Sequence, residues 1–170
     1  MQIQQAKHQF VQAWGAFGSH WGVNKTMAQI HALMMISEES LSTEEIMETL
    51  AISRGNVNMN VRELIDMGLV FKVFKQGERR DYFIGEKDVW KIAKQVAKLR
   101  KARELDPVLN LLQEIRQMDL PPKNEEVKRF LKLVDDFYKL AVNIDRLVEG
   151  IIKAEESWFW DKVLKLLAKK

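Results

Sequence analysis

The chain has 170 residues, 46% of them hydrophobic and 30% charged, with a formal net charge of +3. That is ample apolar material for one globular domain with a helical extension, and too little charge to identify a polyanion binder by itself. Cysteine is absent, which excludes disulfides, thiolate nucleophiles and the usual zinc-finger ligands.

No apolar run approaches the roughly 18 residues of a spanning helix. The N-terminal MQIQQAKHQF lacks a signal-peptide core, so a cytoplasmic protein with no membrane partner is expected. Residues 2–18 read as a helix, with Ile3, Phe10, Trp14 and Phe17 at helical spacing. Gly15, Gly18 and Gly22 are expected to loosen it, with a break near Gly18–Val23. Trp14 and Trp21 suit core or interface packing better than a ligand box, because apolar helix stripes usually pack. Asn24 is placed to cap a second helix, Lys25–Ile36, whose Ala28, Leu33, Met34 and Ile36 should be buried. Ser37-Glu-Glu-Ser40 is then a polar loop.

Leu41-Ser-Thr-Glu-Glu-Ile46 contains a capping box, Ser42 with Glu45 three residues later, and the helix it starts has Ile46 and Leu50 one turn apart. Ala51-Ile52 turns into another helix, which opens on Ser53 as N-cap and closes at Gly68, a residue suited to a left-handed C′ position. Val57, Val61, Leu64 and Ile65 form its core-facing stripe. Its other side, near the start, carries Ser53, Arg54, Gly55, Asn56, Asn58, Met59 and Arg62. Arg and Asn pair bidentately with guanine and adenine edges in a major groove, so this is a candidate recognition helix for double-stranded DNA.

Gly68–Lys75 is β-branched and aromatic, Gln76-Gly77-Glu78 is a turn, and Arg79–Ile84 returns as a second strand. Lys72, Lys75, Arg79 and Arg80 concentrate on this hairpin. Helix, turn, helix and basic hairpin in that order make a winged helix–turn–helix. Ser42–Gly85 as a whole is not basic, with six Lys/Arg against seven Asp/Glu, but Ser53–Arg80 carries six against three. The basic character is therefore a directed edge.

Glu86 begins a long basic helix with Val89, Ile92, Val96 and Leu99 on its apolar side. Lys87, Lys91, Lys94, Lys98 and Lys101 form a lysine row, read either as a solvated face or, at its start, as a phosphate contact beside the wing. Asp106-Pro107 is a cap and a first-turn proline, where a kink or restart is expected. Pro121-Pro122 reads as a linker. Beyond it Val127, Phe130, Val134, Phe137, Ala141, Ile144, Val148 and Ile151 alternate spacings of three and four, an a/d seam that calls for partner helices. Ser157–Lys170 is a short basic amphipathic helix carrying Trp158 and Trp160. Phe10, Trp14, Phe130, Phe137, Ile144, Ile151, Trp158 and Trp160 are the candidate homodimer interface.

Nothing points to catalysis, a cofactor or a metal. There is no phosphate-cradling glycine loop, and His8, His20 and His31 lack metal-ligand spacing. The adjacent pairs Asp135-Asp136 and Glu155-Glu156 diverge around a helix and suit a solvated face.

The winged unit, with a helix pair before it and a helical extension after it, resembles the MarR superfamily, and more narrowly its GbsR/MarR-like branch. The residues carrying the resemblance are Leu41–Ile46, Ser53-Arg-Gly-Asn-Val57, Val61-Arg-Glu-Leu64, Gly68-Leu-Val70 and Gly77-Glu-Arg-Arg-Asp-Tyr82. The likeness covers about residues 24–90 and is architectural elsewhere. It implies a mainly α fold with a small β-hairpin wing, in which N- and C-terminal helices dimerise. It also implies a transcriptional regulator, a repressor by expectation, bound to a palindromic operator as a homodimer. In that arrangement Ser53–Arg62 reads the major groove, and Arg79 or Arg80 enters or flanks the minor groove. Some GbsR-type proteins respond to choline or related compounds, so a small-molecule effector is admitted, although no residue here is matched to one. The expected divisions are 1–23 for an N-terminal dimerisation helix, 24–90 for the winged unit and 91–170 for a helical dimerisation and effector region. The alternative from the near-neutral local charge is a winged helix that docks onto partner proteins without specific DNA reading. RNA binding is disfavoured, because no RNA-module aromatic pattern is present.

Overall fold

Capping residues set most of the helix boundaries. The computed structural model describes residues 3–20, 23–119 and 124–167. Trp21, Gly22, the Pro121-Pro122 linker and the last three residues of the C-terminal basic segment lie outside the described residues. The chain divides into two compact units, residues 1–92 and 93–170.

The first unit opens with α1 (Ile3–His20) and α2 (Lys25–Ile36). Asn24 caps α2 by accepting the Thr26 N–H at 2.9 Å. Glycines 15 and 18 do not loosen α1, contrary to the expectation. They let it lie against α2, since a Cβ at Gly18 would stand 2.5 Å from the Ala28 Cβ and one at Gly15 would stand 2.6 Å from the Gln29 Cγ. Val11 is the buried apolar side chain of α1, while Ile3, Phe10 and Phe17 of the expected stripe are exposed. Gly18→Ala gains about 0.5–1 kcal/mol of helix propensity. It loses more, because two Cβ atoms fixed to backbone cannot move apart and overpacking costs roughly 1–3 kcal/mol. A net loss of stability in urea unfolding is expected, and a stabilised variant would contradict the close approach.

α2 supplies much of the core through Met27, Ile30, Ala32 and Met34, with His31 buried among them. Ile36, expected in the core, is only partly covered. A two-residue strand, β1 (Leu41–Ser42), leads into α3 (Thr43–Leu50). The Ser42 hydroxyl accepts the Glu45 N–H and the Glu45 carboxylate accepts the Ser42 N–H at 2.6 Å, which completes the capping box. Ala51 takes a left-handed conformation (φ 52°) to end α3, and Ser53 caps α4 (Arg54–Asp66) through the Asn56 N–H. Gly68, at φ 69°, closes α4 in the left-handed region where glycine carries no Cβ penalty.

Strands β2 (Val70–Val73) and β3 (Tyr82–Gly85) form the wing hairpin, both shorter than the sequence pattern suggested. The antiparallel sheet runs β1-β3-β2, with Leu41 opposite Phe83 and Val73 opposite Tyr82. The α4 stripe differs from expectation at one position. Val57, Val61 and Leu64 are buried, but Ile65 is 36% exposed and Asn60 takes the inner place at 0%.

α5 (Val89–Arg100) starts where Asp88 accepts the Trp90 N–H, three residues after the expected Glu86. Ile92 is buried as expected, whereas Val89 is exposed. The lysine row is not one solvated face. Lys87 donates to the carbonyls of Ser37 and Glu38, Lys94 donates to that of Ala154, and Lys101 ion-pairs with Asp106 and Asp145.

In the second unit the expected kink becomes a π turn, Lys101–Leu105, followed directly by α6 (Asp106–Gln117). Pro107 has no N–H, and its ring opposes a carbonyl one turn back. The wider turn makes room for it, and the Asp106 N–H bonds to the Lys101 carbonyl, five residues back. α7 (Glu125–Lys153) packs on α6, with Arg116 bonded to Asp135 at 3.0 Å and lying over the Tyr138 ring. α8 (Glu156–Leu167) follows. The a/d seam of α7 splits in two. Val134 and Ala141 are buried within the unit, while Phe130, Phe137 and Ile144 face outward beside exposed Leu133, Leu140 and Leu147. The seam calls for partner helices, and three of its eight positions are left exposed within the single chain. Among the described residues no helix is long and apolar enough to cross a membrane.

Candidate nucleic-acid interface

The buried positions of α4 are Val57, Asn60, Val61 and Leu64, spaced as one helical face. The face turned away from them carries Arg54, Gly55, Asn58, Met59 and Arg62, all exposed. Ser53, also exposed, is occupied as the cap. Asn56 sits between the two faces, and its side-chain oxygen accepts the Asn60 amide at 2.7 Å. Asn60 also donates to the Asn56 carbonyl, so a buried amide fixes the orientation of a half-exposed one. Sequence reasoning did not single out Asn60. Its place at i+3 from Val57, within the stripe, was the signal that it faces inward.

Arg54 does not project freely. Its guanidinium pairs with Glu44 on the first turn of α3. The Glu44 backbone N–H and then Arg54 hold the Glu44 carboxyl below the ordinary carboxylate range, with Arg80 adding a weaker attraction. The Ser42 backbone and hydroxyl do the same for Glu45, helped by Lys75 and Arg80. The acidic first turn of α3 thus lies within the field of the recognition helix and the wing. An exposed pair of this kind contributes little to stability, and it leaves Arg54 available to a stronger anion.

On the wing, Lys72 pairs with Asp81 at 2.7 Å and Lys75 stands 4.2 Å from the Tyr82 ring centroid. Arg79 and Arg80 are exposed, and neither forms an ion pair among the described residues. The same holds for Arg62 on α4. The wing loop turns at Gly77, which has φ 82°. Three arginines without an ion pair among the described residues and two helix positions, Asn58 and Met59, therefore offer donors and contact area to a partner.

Residues 21–81 match the family model described as MarR family. The winged unit is a MarR-family domain. A protein of Bacillus subtilis (strain 168) provisionally named an HTH-type transcriptional regulator, YvaV, is 23% identical over 86% of this chain and 88% of its own. The HTH-type transcriptional repressor GbsR of the same organism is 25% identical over 69% of this chain and 64% of its own. A crystal structure titled as that of a transcriptional regulator superposes with a TM-score of 0.66 at 19% identity. It covers 86% of this chain and 95% of that one, which shows that the fold is shared. In this winged unit, α3 and α4 are the helix–turn–helix and β2–β3 is the wing.

The remaining sequence candidates belong to other elements. Phe10 is exposed on α1, where its ring stacks on Trp14 at 5.6 Å. Phe130, Phe137 and Ile144 are exposed on α7, Ile151 is partly covered, and Trp158 and Trp160 are about half exposed on α8.

Proposed function

We propose that this chain is a transcriptional regulator that binds double-stranded DNA, a repressor acting as a homodimer on a palindromic operator. The observation that carries the reading is the exposed face of α4. Arg54, Asn58 and Arg62 stand there with Met59 around an open glycine, and two exposed arginines that form no ion pair among the described residues lie on the wing. Arg54 and Asn58 read base edges, while Arg79 and Arg80 hold phosphates or enter the minor groove. The relatives named as HTH-type regulators, one of them a repressor, support the same reading.

Gly55 adds a physical argument. A glycine in a helix costs about 0.5–1 kcal/mol relative to alanine, and a Cβ here would meet nothing within 4 Å. No packing need within the unit accounts for it, and close approach of a DNA backbone does.

The two-fold interface of this reading is built from α1 with the outward seam of α7 and the α8 tryptophans. An effector that shifts these helices alters the spacing of the two recognition helices. A cleft of about 400 Å³ within the first unit, lined by Val11, Leu33, Ile36, Leu41, Lys7 and His8 among others, is where the reading places such a molecule, in place of the region 91–170 expected from the sequence.

Selection of bound duplexes from a random library, repeated with a small-molecule extract, tests the reading. Recovery of inverted half-sites about one helical turn apart is the expected result. Alanine at Arg54 or Asn58 should then relax base preference by about 1–3 kcal/mol. Gly55→Ala should raise fold stability while weakening DNA binding. Failure to enrich any duplex sequence, with binding to partner proteins retained, would leave the winged unit as a protein-docking module.

A further inference from the structure

Phe74 is 86% exposed, more than any other large apolar side chain among the described residues. It directly follows β2, one position past the last paired residue of the ladder, Val73 opposite Tyr82. It therefore stands at the mouth of the wing loop and not on the sheet face that packs against α2. One isolated exposed phenylalanine is ordinary on a protein surface. Its surroundings here are not. The Lys72 ammonium lies 5.5 Å from the ring centroid, and Lys75, Arg79 and Arg80 belong to the same short loop. Residues 72–81 carry four cations against Glu78 and Asp81.

A ring set among cations is poorly suited to an apolar pocket on another protein, because closing that pocket strips water from the charges. It suits a polyanion that also offers flat apolar faces. DNA does both, since phosphates line each groove and stacked bases lie between them. Minor-groove proteins place phenylalanine in this setting as a wedge that partly unstacks one base step and bends the duplex. We propose that Phe74 is such a wedge, inserted from the wing at the minor-groove flank of each half-site while Arg79 and Arg80 hold the adjacent phosphates. The inference rests on the DNA-binding reading above and adds a specificity element to it. The step under the ring is chosen by its ease of unstacking, so pyrimidine–purine steps such as TA or CA are favoured where no base-edge contact is made.

The test uses the full chain and a duplex recovered by the selection above, its flanking step varied among TA, AA and GC. Base unstacking is read with 2-aminopurine placed at that step, and bending by gel phasing. With wild-type protein, 2-aminopurine fluorescence should rise at one step in each flank, and TA-flanked duplexes should bind about tenfold more tightly than GC-flanked ones. Phe74→Ala, at an exposed site that leaves the core untouched, should abolish the fluorescence rise, reduce the bend and remove the TA preference. Phe74→Leu, which keeps a wedge, should retain most of all three. A Phe74→Ala protein that unstacks, bends and discriminates like wild type overturns the proposal. So does a loss of affinity that is equal on all flanks, which would mean that the ring only packs on the backbone. If wild type binds no duplex, the DNA-binding reading itself fails, a result distinct from either of these.

Discussion

Replacing Phe137 and Ile144 together by glutamate is expected to convert the protein to monomers and to lower operator affinity about a hundredfold or more. The reason begins in the α7 heptads. Val134 and Ala141 are satisfied within the unit, while Phe130, Phe137 and Ile144 alternate with Leu133, Leu140 and Leu147 in an outward stripe, each of the six at least 42% exposed. Val108 and Leu111 on α6, and Met118 at its C-cap, are exposed as well. A patch this long is unusual on a monomer and is the basis for the proposed interface. The a/d spacing suits another helix of the same kind as its cover, which in the homodimer proposed above a second copy would supply. Glutamate at these positions leaves helix propensity intact and meets no core atom, so the free protomer should fold. In the dimer each carboxylate would be buried without a partner, at a cost of several kcal/mol per copy. One winged unit reads only a few base pairs, so separating the pair removes half of the contacts at a palindrome. Light scattering gives the mass, and titration of the selected duplex gives the affinity. Phe137→Leu should leave both unchanged. A double variant that stays dimeric would place the interface elsewhere, and a wild-type monomer that binds the palindrome tightly would remove the need for one.

How much of this was legible depended on the range of the interaction that decided each feature. The caps were legible at Asn24, Ser42 and Ser53, because a cap is a bond to a residue two or three positions away. The order of helix, turn, helix and hairpin followed from them. Strand β1 was not legible. Two residues become a strand only because Leu41 meets Phe83, and nothing local announces a pairing across that separation. Gly15 and Gly18 looked like weak points of a helix, since the sequence does not reveal that Gln29 and Ala28 stand opposite them. The α7 seam was visible as a pattern, but which flank turns inward was decided by the place of α6. At the candidate interface the residue types on α4 were legible from helical period alone. The Glu44 partner of Arg54 and the Asn60 partner of Asn56 were not, because both depend on which atoms the turn brings together.

Stability should fall as pH drops from about 6.5 toward 5, and His31→Leu should flatten that dependence. His31 lies in α2 among the core residues at 5% exposure, and its Nε2 makes no hydrogen bond among the described residues. Burial pushes its pKa down from 6.5 to about 4, because the imidazolium cannot be hydrated there. Above pH 6.5 the ring is neutral in both folded and unfolded chains and contributes no pH dependence. Between 6.5 and 4 the unfolded chain binds a proton that the folded chain refuses, so unfolding gains about 1.4 kcal/mol per pH unit. Below the folded value both states are protonated and the loss levels off. The Glu44, Glu45 and Asp135 carboxyls also have folded values below their ordinary ones, but their contribution is kept above about 4.5 and lost only below it. Those carboxylates contribute little between 6.5 and 5, so urea unfolding across that interval should show a loss of roughly 2 kcal/mol in wild type that His31→Leu removes. Leucine fills a similar volume without a titrating group. Equal slopes in the two proteins, or a His31 ring resonance that titrates near 6.5 by NMR, would show that the imidazole reaches water in the folded state.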